Sequence, residues 1–108
     1  MFDVRDNVLL AQQFVAGLDE KAFSASRLHF YATTGALEVI SEASRRLPDE
    51  IRDRHPHLPW RAIRDSGNVY RHHYDNVAES RVWDTVHKHL PLLLLAVEAE
   101  IEWAGTAG

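Results

Sequence analysis

The sequence predicts an all-α fold, a mostly antiparallel bundle of four to five helices forming one domain over residues 1–108. Three observations lead there. Apolar residues recur at three- and four-residue spacing through most of the chain, no stretch alternates with period two for long enough to make a strand, and the links between periodic segments are short.

The first helix carries Val4, Val8, Leu9, Phe14, Val15 and Leu18, with Gly17 as its stop signal. A polar link, Asp19 to Lys21, follows, with Ala22 and Phe23 as an apolar anchor. The second helix is the spine: Leu28, Tyr31, Ala32, Gly35, Ala36, Val39, Ile40, Ala43 and Leu47 form its apolar stripe. Pro48, then Asp49 and Glu50, suits the first turn of a short third helix, since proline there loses no hydrogen bond and carboxylates favour the positive helix end. That helix is expected to stop near His55 and Pro56. Pro59 opens a fourth in the same way, with Trp60, Ile63, Gly67, Tyr70 and Tyr74 on related faces. The fifth runs from about Ala78 to Trp103 through Val82, Trp83, Val86, Leu90, Leu93, Leu94, Val97 and Ile101, and Pro91 should bend or break it.

At 108 residues the chain can bury roughly two-thirds of its unfolded surface, enough for one core but little for a deep private active site, so function is expected at a subunit interface. The absence of cysteine excludes disulfides, thiolate metal sites and thiol nucleophiles. The longest apolar run, Leu90 to Val97, has 8 residues where a membrane span needs about 20. Asp3, Arg5 and Asp6 stand where an export signal would begin its apolar stretch. A soluble, cytoplasmic protein is the expectation, with no membrane partner.

The net charge of −4 argues against general affinity for nucleic acid. Its distribution is uneven, because residues 45–71 hold seven arginines (Arg45, Arg46, Arg52, Arg54, Arg61, Arg64 and Arg71) against four carboxylates. Such a stripe on an acidic body can bind one anionic ligand in one place; it can equally be a solvated arginine face.

Seven histidines invite a metal reading, but none pairs at the i, i+4 spacing of a helical site and no Glu-x-x-His motif occurs. No metal and no cofactor are expected. The segment from Trp60 to Asp75 is more informative. Arg64, Asn68 and His72 are spaced i, i+4, i+8, which on a continuous helix puts a guanidinium, an amide and an imidazole on one face, with Arg71 beside His72. An imidazole titrating near neutrality can take or return the proton of a ribose 2′-hydroxyl while arginine stabilises the charge developing on phosphate. That is the chemistry of metal-independent RNA cleavage. The competing reading is a solvent-facing polar cluster at a helix end. Gly67, costly inside a helix, suggests close approach of another helix, and two copies of the chain packing there would form a composite cleft.

The blocks Ala36 to Pro48, His55 to Ile63, Gly67 to Tyr74, Val82 to Val86 and Leu90-Pro91, in this order and separation, resemble the HepT-like proteins of the HEPN superfamily over nearly the whole chain. The resemblance implies a small helical bundle that dimerises, and an RNase toxin made beside an MntA-like nucleotidyltransferase antitoxin that transfers AMP to a tyrosine of the toxin. The family motif is an arginine, a polar residue, a histidine, one further residue and a tyrosine. Asn68 matches the polar position, His72 the catalytic histidine and Tyr74 the modifiable tyrosine, whereas Gly67 occupies the arginine position. Arg64 or Arg71 is left to supply the missing cation, with Arg61, Arg64, Arg71 and His73 expected to contact RNA. AMP on Tyr74 would bring a phosphate and a base into an arginine-lined cleft and block RNA there. Two functions follow: a homodimeric or higher-order endoribonuclease, or a catalytically degenerate HEPN protein that serves as partner or substrate of the nucleotidyltransferase.

Overall fold

The structure, a computed structural model, describes residues 1–68 and 77–107. The fold is all-α, as the periodicity predicts. Its elements are α1 (Phe2–Val15), α2 (Glu20–Ala25), α3 (Arg27–Arg45), α4 (Asp49–Arg54), α5 (Trp60–Asp65), α6 (Val77–Asp84), a π-helical turn (Thr85–His89) and α7 (Leu90–Ala107). Among the described residues, no helix is long and apolar enough to cross a membrane.

α1 buries Val4, Val8, Ala11 and Val15, one stripe at i, i+4, i+7, i+11, against α3 and α7. It ends at Gly17, whose φ of +78° lies in the left-handed region that favours glycine. The polar link after it is more ordered than the sequence suggested. Asp19 accepts a hydrogen bond from the Ala22 backbone N–H at 2.7 Å and so caps the six-residue α2. α2 turns Phe23 fully into the core, 5.5 Å from the Trp83 ring and 6.3 Å from that of Phe30. Ser26 ends α2 and caps α3, accepting from the His29 N–H at 3.2 Å.

α3 is the spine, but its buried stripe is Phe30, Thr33, Ala36, Leu37, Ile40 and Ala43. Leu28, Tyr31 and Val39, expected in the core, face outward. This helix carries apolar residues on two faces, and periodicity alone cannot choose between them. α4 and α5 start directly after Pro48 and Pro59, as expected. The Trp60 indole N–H donates to the His55 carbonyl at 2.9 Å and closes the link between them.

The final helix runs from Val77 to Ala107 without a break. Pro91 cannot donate to His87, and its ring would collide with that carbonyl in a regular helix. The chain answers with the wider π turn just before it, where the Leu90 N–H reaches back to the Thr85 carbonyl. The apolar positions Val82, Val86, Leu90, Leu93 and Val97 stay buried through that change.

Where α4 ends, Arg54 and His55 converge on Glu100, a buried carboxylate of α7. The Arg54 Nε–H donates to it at 3.0 Å, its Nη2 makes a second bond, and His55 Nε2 lies 3.4 Å away. The arginine also lies over the Trp103 ring, 5.3 Å from its centroid. Hydrogen bonding from Arg54, aided by His55, holds the Glu100 carboxyl below its ordinary pKa against the opposing effect of burial.

Candidate functional site

α5 points Ile63 into the core and leaves Arg61 and Asp65 exposed. Arg64, in its last turn, is half-buried. Its carbonyl accepts from the Ser41 hydroxyl and from Arg45 Nη2 (3.1 Å), which ties the end of α5 to α3. Its side-chain Nε is buried and has no hydrogen-bond partner among the described residues.

The helix then stops, contrary to the expectation that it continues through Gly67. The Ser66 N–H and hydroxyl both donate to the Ile63 carbonyl, at 3.2 and 2.6 Å, and the Asn68 N–H donates to Asp65 at 3.0 Å. Gly67 lies flat on α3: a Cβ there would stand 3.1 Å from Ser41 Cβ and 3.2 Å from Glu38 Cα. The close approach that this glycine signals is met within the chain, by α3. Arg64 and Asn68 consequently do not share a helical face. Arg64 sits on α5, and Asn68 stands exposed beyond the turn. Arg71, His72, His73 and Tyr74, with Tyr70, lie outside the described residues.

Asn68 forms part of one wall of a cleft of about 550 Å³, with Ala62, Asp65 and Ser66. The opposite wall comes from α6 and the π turn: Arg81, Asp84, Thr85, Lys88 and His89. Thr85 donates its hydroxyl to the Arg81 carbonyl at 2.9 Å, and Lys88 lies 3.5 Å from Asp84. His87 and His89 are treated differently. The His87 ring stacks on Trp83 at 4.0 Å, with Nδ1 2.8 Å from the Trp83 carbonyl, whereas the buried Nδ1 of His89 has no hydrogen-bond partner among the described residues. Arg81 and Lys88 carry no local motif, and His89 counts in the sequence only as one of a histidine pair, His87 and His89, without metal-site spacing; the signal pointing toward them was Pro91, which the π turn precedes. Among the described residues no group of three or more His, Asp or Glu side chains is arranged to hold a metal ion.

The sequence pattern of a family described as Ribonuclease HepT-like matches residues 4–100. This chain belongs to the HepT-like ribonuclease family. Among its relatives is "Probable ribonuclease HepT" of Thermococcus cleftensis, 29% identical over 91 residues that cover 84% of this chain and 83% of the relative. "Putative RNase TTE0752" of Caldanaerobacter subterraneus is 32% identical over 79 residues, 73% of this chain and 70% of that one. "Putative RNase MJ1380" of Methanocaldococcus jannaschii is 26% identical over 98 residues, 91% and 90% of the two chains. No solved structure matches. The all-α fold is the one that the HepT-like resemblance implied.

Proposed function

We propose that this chain is a metal-independent endoribonuclease that works in the cytoplasm as a homodimer and is the toxin of a type VII toxin–antitoxin pair with an MntA-like nucleotidyltransferase. The observation that carries this reading is the HepT-like match over residues 4–100, in a chain that keeps Asn68, His72 and Tyr74 at the motif spacing. In the reaction the ribose 2′-oxygen bonds to the adjacent phosphorus as the bond from phosphorus to the 5′-oxygen breaks. His72 takes the 2′-hydroxyl proton or returns one to the leaving 5′-oxygen. Arg64 and Arg71 neutralise the phosphorane charge, Asn68 orients the substrate or His72, and Arg61 and His73 hold the strand. The position of Arg64 supports this assignment: its half-buried side chain stands in the last turn of α5, three residues before the motif position that Gly67 occupies, and among the described residues its Nε has no hydrogen-bond partner. AMP transferred to Tyr74 sets a phosphate where the substrate phosphate would lie.

Total bacterial RNA incubated with the purified protein in EDTA tests the reading. Cleavage with 2′,3′-cyclic phosphate ends is expected, and His72→Ala should lose at least about a hundredfold in rate with an unchanged melting temperature. Full cleavage by His72→Ala would remove the assignment.

One observation favours the non-enzymatic alternative. Gly67 stands at the motif's arginine position, and α3 closes the space that a side chain there would need. On that reading the chain is a binding partner or substrate of the nucleotidyltransferase, and its expression alone leaves bacterial growth unchanged.

A further inference from the structure

The cleft between the 66–68 turn and the π turn has a chemistry of its own. Arg81 from α6 and Thr85 and Lys88 from the π turn line one wall, so two cations and a hydroxyl border the same space. Asp65 and Asn68 oppose them, and His89 adds an imidazole whose buried Nδ1 has no partner among the described residues. We infer that this cleft holds one unpaired ribonucleotide of the RNA strand beside the cleaved bond, with Arg81 and Lys88 on its phosphate and Asp65, Asn68 and His89 on its base and sugar. The inference rests on the ribonuclease reading and names the form of substrate which that site takes.

The mixed charge decides between a nucleotide and a bare anion. Two carboxylates, Asp65 and Asp84, make the cleft a poor trap for an isolated phosphate. Carboxylates and amides do accept and donate at base edges, while the cations take the phosphate oxygens. The exposed pair between Lys88 and Asp84, at 3.5 Å, is worth little in water, so the ammonium can move to a phosphate at small cost. His89 lines the cleft half-buried, and its ring can stack on a base. The volume of about 550 Å³ lies in the range of roughly 300–1,000 Å³ typical of pockets that hold a small organic ligand. A base in an A-form duplex is paired and stacked, and cannot enter such a cleft, so the strand must be single. Asn68 joins this cleft to the motif, four residues before His72.

The test is fluorescence anisotropy with a ten-nucleotide single-stranded 2′-O-methyl oligoribonucleotide, which cannot be cleaved, titrated at several salt concentrations beside a cleavage assay on ordinary RNA. Arg81→Gln and Lys88→Gln should each weaken binding and each reduce the slope of log K against log salt by about 0.7, the share of one phosphate contact on a single strand. Arg81→Lys should restore the slope. His89→Gln should weaken binding roughly tenfold with the slope unchanged. Arg5→Gln, on α1 and paired with Asp6 at 3.0 Å, should match the wild type. If the wild type binds and cleaves while the Arg81, Lys88 and His89 variants keep wild-type affinity and slope, the cleft assignment falls and the ribonuclease reading stands. Equal affinity for a duplex of the same sequence overturns the unpaired nucleotide. If the wild type neither binds nor cleaves, the ribonuclease reading falls and takes this inference with it.

Discussion

Where α4 meets α7, the buried Glu100 carboxylate is held by Arg54 and His55; among the described residues, the buried Nε of Arg64 on α5 and Nδ1 of His89 in the π turn have no hydrogen-bond partner. Both regions take polar groups out of water, and they resolve the cost differently. A buried charge with hydrogen-bonded partners braces two helices. A buried donor or acceptor left open costs about 1–3 kcal/mol, and such a cost persists where a ligand uses the group. The contrast sets a braced contact between α4 and α7 against two open groups that the proposed function assigns to RNA.

The contrast can be broken or sharpened by substitution. The largest stability effect is expected from Gly67→Arg, which restores the family's arginine in sequence. Its Cβ alone would stand 3.2 Å from Glu38 Cα, so the 66–68 turn and α3 must part by a few tenths of an ångström before the longer side chain is placed, at an expected loss of about 3 kcal/mol in urea unfolding. No gain in cleavage should accompany it; a gain would mean that this turn can open without harm and that the motif arginine works from there.

Glu100→Gln should come next, at about 2 kcal/mol near neutral pH. The Glu100 carboxyl is held below its ordinary value of 4.5, so its contribution is full above that value and disappears as pH falls through the lowered one. The gap between wild type and variant should therefore close in acid, and a gap independent of pH would show that the charge is not what braces α4 to α7.

The smallest effect is expected from Ser44→Ala. The Ser44 hydroxyl is fully buried on α3 without a partner, and its removal should change stability by less than about 1 kcal/mol, toward greater stability. A clear loss would reveal a hidden bond there and weaken the use of open polar groups as markers of function.

How far the sequence could be read follows the same physics. α1, α3, α4 and the start of α5 were legible because periodic burial and the prolines at 48 and 59 act locally. α2 was not, since six residues with one buried side chain, Phe23, leave no period to detect. The end of α5 was misplaced because what stops it is a tertiary contact, Gly67 on α3, reinforced by short-range bonds from Ser66 and Asn68. In the candidate site, Arg64 and Asn68 were found through their spacing to His72, and they flank the turn, though not on one helical face. Arg81, Lys88 and His89 come from a helix remote in sequence from that segment, and only the folded chain brings them opposite Asn68.

The most direct test of the contrast is to measure RNA cleavage and melting temperature together for Arg64→Met and Glu100→Gln. Methionine keeps the apolar stem of Arg64 and removes the open Nε. The account predicts that Arg64→Met loses cleavage while its melting temperature holds or rises, and that Glu100→Gln melts lower while cleaving at the wild-type rate below its transition. Full cleavage by Arg64→Met together with a lowered melting temperature would contradict it and place Arg64 with the structural braces.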